Sequence, residues 1–99
     1  MAYNIIWEFR VPKERIHDFE AAYGFDGTWS ALFSKAEGFI KVELLRCTEE
    51  EGRYLTIDHW ISQRAFDAFQ AKFASDYHSL DQRLEGIATT EKRIGAFSI

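Results

Sequence analysis

The chain holds one cysteine, one proline and one methionine in 99 residues, and no apolar run long enough to cross a membrane. A lone Cys47 cannot close an intrachain disulfide, which fits a reducing compartment. The opening MAYNIIWEFRV lacks a positive n-region, and Glu8 and Arg10 interrupt it too early for a signal sequence. A cytoplasmic location without membrane contact is therefore expected. There is no basic footprint either: the formal net charge is −4, with lysines and arginines scattered among acids, so nucleic acid is not an expected partner. No Gly-x-Gly-x-x-Gly or Gly-Lys-Ser/Thr loop is present to cradle phosphates. His17, His59 and His78 lie far apart, and the three glutamates at 49–51 read as a solvated turn, so neither a metal nor a cofactor is expected. Cys47 has no neighbouring histidine or helix N-terminus to make it a nucleophile.

What the chain does have is aromatic and aliphatic bulk, 16% and 46% aromatic and total hydrophobic residues, enough for one core and one domain over 1–99. No repeat, linker or low-complexity tract divides it. Residues 3–11 alternate, with Ile5, Trp7, Phe9 and Val11 on one face and Asn4, Ile6, Glu8 and Arg10 on the other, predicting a first strand. After Pro12, Ile16, Phe19 and Tyr23 recur at helical spacing and stop at Gly24, a residue suited to a left-handed turn. Thr28 can cap a short second helix carrying Trp29, Leu32 and Phe33. Residues 39–48 and 53–61 alternate again around an acidic turn, predicting a hairpin. Ser62 then opens a long helical stripe through Phe66, Phe69, Phe73, Tyr77 and Leu84, with a kink expected at 75–76, and residues 89–99 form a last strand.

The order βα(α)ββαβ predicts an α+β, ferredoxin-like domain: a four-stranded antiparallel sheet with helices on one face. Strands one and three are expected side by side as central, parallel neighbours joined by right-handed crossovers. The uncovered face would then carry Ile6, Leu45, Tyr54, Thr56, Trp60 and Ile94 among Asn4, Glu8, Arg10, Lys41, Glu43, Asp58 and Lys92. Leaving such aromatic area in water costs about 25 cal/mol per Å², which burial against a second copy removes. A homodimer is expected, with Tyr54, Asp58 and Trp60 at its seam.

The block YLTIDHWISQRAFDAF has an acid, an aromatic two residues later at the strand end, and an Ala-Phe pair one turn into a helix. With IIWEF, AYGFDGTW and EGFIKVELL, it resembles the antibiotic biosynthesis monooxygenase family, the dimeric α+β barrels, across nearly the whole chain. The resemblance implies a homodimer whose sheets meet back to back and a ligand cavity in each subunit between sheet and helices. It also implies either metal- and flavin-free oxygenation of quinol-like aromatics or haem degradation. Haem-degrading relatives use a histidine on the helix after strand three, where this chain has Phe69 and Gln70, so haem is not expected.

The alternation points Trp7, Phe9, Ile57 and His59 inward, toward Tyr23, Trp29, Phe33, Phe66, Phe69 and Phe73 from the helices. Eight of these side chains (Trp7, Phe9, Tyr23, Trp29, Phe33, Phe66, Phe69 and Phe73) would bind a flat, small apolar or aromatic molecule. The competing reading of such a stripe is closed core. His59, placed on the apolar face beside Phe9, is the expected general base, able to take a phenolic proton and leave an anion that reacts with oxygen. Two functions follow. One is a cofactor-independent monooxygenase-like small enzyme; the alternative is a non-catalytic homodimeric small-molecule-binding or structural domain.

Overall fold

The computed structural model describes residues 1–99. The alternating stretches form four strands, β1 (Tyr3–Arg10), β2 (Phe39–Arg46), β3 (Arg53–Trp60) and β4 (Thr90–Phe97). Four helices connect them: α1 (Ile16–Tyr23) after a 3-10 turn at Lys13–Arg15, α2 (Thr28–Phe33), α3 (Gln63–Lys72) and α4 (Ala74–Arg83). None is long and apolar enough to cross a membrane. Together they make the expected ferredoxin-like α+β fold, with the sheet order β2-β3-β1-β4.

Every neighbouring pair in that sheet is antiparallel, including β1 with β3. The expected parallel pairing of strands one and three is thus corrected. The crossover through α1 and α2 makes β1 parallel to β2, and β3 inserts between them.

Register settles which side chains share a face, because directly opposed residues of an antiparallel pair point the same way. Ile5 opposes Asp58, Trp7 opposes Thr56 and Phe9 opposes Tyr54. Ile5 and Phe9 are buried under the helices, so the even-numbered residues of β3 face the helices too. Tyr54 and Trp60 are 1% and 0% exposed in the core. This overturns their expected placement on the uncovered face, together with that of Asp58. His59 and Ile57 are correspondingly on the uncovered face, and His59 is paired with Asn4, not set beside Phe9.

Two aromatic clusters form under the helices. One gathers Phe9, Val11, Phe19, Tyr54 and Ile87, with Phe19 and Tyr23 stacked at 4.4 Å. The other gathers Ile5, Trp29, Phe33, Val42, Trp60 and Phe69, where the Trp60 ring lies within 5.6 Å of Phe33, Phe39, Phe66 and Phe69. Offset and edge-on rings of this kind add to simple burial. Trp7 and Tyr23 pack against both clusters and mark the gap between them.

Local details adjust the sequence reading. Ser62 caps α3 as expected, its Oγ accepting from the Ala65 N–H at 3.1 Å. Thr28 does not cap α2; Gly27 occupies that position without a side-chain bond. Gly24 is extended, with φ −72 and ψ 174, not left-handed; glycine is required there because a Cβ would sit 2.7 Å from the Glu20 carbonyl oxygen. The long helix breaks at Phe73, not at 75–76, where φ −112 and ψ 25 leave the helical region.

Candidate active site

The two clusters do not quite meet, and an elongated hollow opens between sheet and helices. Its first lobe, a narrow cavity of about 40 Å³, lies among Trp7, Phe9, Tyr23, Trp29 and Phe33, with Thr56 and Asp58 as its floor. Tyr77 and Asp81, one helical turn apart on α4, and Glu91 on β4 form its rim. A second lobe extends toward Tyr3, Phe66, Gln70 and Arg93, sharing Trp7, Phe33, Asp58 and Tyr77 with the first.

Asp58 therefore sits where the lobes join. No hydrogen bond or ion pair reaches its carboxylate, in contrast to Glu8, Glu20, Glu43 and Glu50, which all pair. Part of the residue is exposed to the cavity, yet the protein packed around it removes the carboxylate from bulk water and pushes its pKa up to about 7. Trp29 borders the same lobe, and its indole N–H is buried toward the Tyr23 hydroxyl without closing a well-formed hydrogen bond. A buried donor left without a well-formed bond costs about 1–3 kcal/mol. The Tyr23 and Tyr77 hydroxyls are both pushed up to about 12, chiefly by burial and then by nearby carboxylates.

His59 has the opposite surroundings. Its Nδ1 lies 2.7 Å from Asn4 Oδ1 and its Nε2 lies 2.6 Å from Glu43 Oε1, on the uncovered face. The Asn4 amide donates to the Phe97 carbonyl at 3.2 Å, which keeps its oxygen toward the ring. With both nitrogens engaged and the sheet between it and the hollow, His59 cannot reach a ligand there.

Of the aromatic residues expected to contact ligand, Trp7, Phe9, Tyr23, Trp29 and Phe33 border the first lobe and Phe66 borders the second. Phe69 and Phe73 border neither. Phe69 is 1% exposed in the core, and Phe73 packs against that cluster from the helix break. Sequence reasoning missed Thr56, Tyr77, Asp81, Glu91 and Arg93 as neighbours of the hollow. The available signal was polar residues within strand three, since Thr56 and Asp58 alternate with bulky Leu55 and Ile57. Cys47 has an environment the sequence did not disclose: backbone hydrogen bonds from the turn at Glu49 and Glu50 draw its thiol below the usual value.

An aromatic hollow with a desolvated carboxylate can grip a flat molecule and remove a proton from it. A family model described as antibiotic biosynthesis monooxygenase matches residues 2–77. Among solved structures, a variant of SnoaB from Streptomyces nogalater, described as a cofactor-independent oxygenase, superposes with a TM-score of 0.77 at 22% identity, over 99% of this chain and 92% of that one. MhuD from Mycobacterium tuberculosis, described as a heme degrader and solved with two hemes in its active site, superposes with a TM-score of 0.69 at 23% identity, over 100% of this chain and 95% of that one. Likenesses at these identities establish the fold. No curated protein matches the chain.

Proposed function

Since the chain belongs to the antibiotic biosynthesis monooxygenase family, we propose that it is a cofactor-independent monooxygenase acting on a flat, quinol-like aromatic in this hollow, with Asp58 as general base. The observation that carries the reading is the Asp58 carboxylate itself, unpaired, desolvated among rings and titrating near 7. A base is most effective when its pKa lies close to the working pH. Asp58 takes a proton from a phenol or from a methylene flanked by rings. The resulting anion passes one electron to dioxygen, the radical pair combines as a peroxide anion, and the proton held on Asp58 returns to give the hydroperoxide. Loss of water then leaves a new carbonyl, so that CH2 and O2 become C=O and H2O. The aromatic walls limit the water that would otherwise quench the anion.

A haem-degrading reading has less support, because none of His17, His59 and His78 borders the hollow.

The uncovered face of the sheet is assigned in this reading to a second copy. Leu45 and Phe97 are 46% and 50% exposed there, interleaved with Lys41, Glu43, Glu8 and Lys92, so a two-fold pairing would join apolar area and opposite charges. Light scattering at micromolar concentration should give twice the chain mass, and a monomeric mass would overturn this part.

Oxygen uptake with anthrones and naphthohydroquinones tests the chemistry. Asp58→Asn should lower turnover by about a hundredfold or more while binding is retained, and the wild-type rate should rise through pH 7. Binding without oxygen uptake by the wild-type protein would leave the non-catalytic binding domain as the correct reading.

A further inference from the structure

The first lobe of the hollow has a one-sided charge that quinol-like chemistry alone does not require. Asp58 from β3, Asp81 from α4 and Glu91 from β4 all border it, and no lysine or arginine does. None of the three is in an ion pair, although salt bridges occupy carboxylates elsewhere on the surface. The one basic neighbour of the hollow, Arg93, borders the other lobe. Between the carboxylates stand the faces and edges of Trp7, Tyr23, Trp29 and Tyr77, with Trp29 and Tyr77 at 5.0 Å and Trp29 and Tyr23 at 6.2 Å.

Aromatic rings present negative faces, and rings arranged around a hollow lined by carboxylates attract a cation on two independent grounds. Tyr23 and Tyr77 are raised chiefly by burial, with Asp81 and Glu91 adding to it while Trp29 opposes it at Tyr23 and Arg93 at Tyr77, and Glu91 is raised by burial and by Asp81. Each group there resists carrying another negative charge. No set of three side chains converges closely enough to hold a metal ion. A bulky organic cation suits the site better, because its surface can touch several rings while its charge lies toward the rim.

We infer that the first lobe selects an aromatic ligand bearing a protonated amine, with the ring system over Asp58 and the ammonium group directed to Asp81 and Glu91. This deepens the proposed function by naming the substrate class, and it rests on the hollow being a ligand site. The reacting carbon would stay near Asp58, where the two lobes join, while the amine fixes which end of the ligand enters the first lobe. Asp81 and Glu91 act here as specificity determinants, remote from the reacting atoms.

Calorimetric titration with three probes of one shape separates the possibilities: 1-naphthylmethylamine, 1-naphthylmethanol and 1-naphthoate. The amine should bind about tenfold or more tightly than the alcohol, and the carboxylate more weakly than either. The Asp81→Asn/Glu91→Gln double variant should bring the amine to within about twofold of the alcohol and leave the alcohol unchanged. The preference should also shrink with added salt, because both rim carboxylates are exposed. Equal binding of amine and alcohol, with no effect of the double variant, would overturn the charge selection and leave the aromatic site standing. Failure of all three probes to bind would overturn the site and this inference together.

Discussion

Asp58 and His59 are adjacent in β3, and the pleat sends them to opposite sides of the sheet with opposite fates. The histidine, the residue type more readily associated with proton transfer, is held between Asn4 and Glu43 with both nitrogens occupied. The aspartate next to it has no partner and looks into an aromatic hollow. In the proposed function, reactivity follows from what is left unsatisfied, not from the residue type. Satisfied polar groups stabilise the fold, whereas an unpaired buried one is tolerated at a cost that function can justify.

The largest expected effect tests the orientation of β3 itself. Trp60→Ala removes a fully buried indole surrounded by four rings and should cost about 3–5 kcal/mol in urea unfolding. A loss below about 1 kcal/mol would mean that the inner and outer faces have been exchanged.

Asp58→Asn should act in the other direction on stability. The folded chain keeps a proton on this carboxyl up to about pH 7, whereas an unfolded aspartate releases it near 3.9. Between those values the folded state binds more protons, so wild-type stability falls as pH rises, and asparagine is free of that loss. The variant should therefore gain little at pH 4 and roughly 2–4 kcal/mol at pH 8. Parallel stability curves for the two proteins between pH 4 and 8 would show that the carboxylate is well solvated.

The smallest effect belongs to the outer face. His59→Ala gives up two partly exposed hydrogen bonds and should cost about 1 kcal/mol, with turnover within about twofold of wild type. A loss of turnover approaching that of Asp58→Asn would return the base to His59.

Much of this arrangement was legible in the residues. Strand and helix types, the Ser62 cap and the aromatic walls from β1 and α2 follow from period and spacing. The phase of β3 did not, and the reason is physical. Its outer face carries Leu55 and Ile57 with Arg53 and His59, its inner face Tyr54 and Trp60 with Thr56 and Asp58, so hydrophobicity alone does not choose a side. Only pairing with β1, whose Ile5 and Phe9 are plainly buried, fixes the direction. The site residues on α4 and β4 were hidden for a related reason. Tyr77 reads as part of a core stripe, while Asp81, Glu91 and Arg93 read as surface, and only the antiparallel sheet order brings β4 alongside β1.

The two edge strands share an irregularity. Pairing shifts by one residue at Ile40 in β2 and at Ile94 in β4, and charged Lys41, Arg46, Lys92 and Arg93 lie along the same edges. A kinked, cationic border is a poor template for a neighbouring chain to extend the ladder. Growth of the sheet sideways into fibrils is thereby discouraged in a protein this rich in aromatic strands.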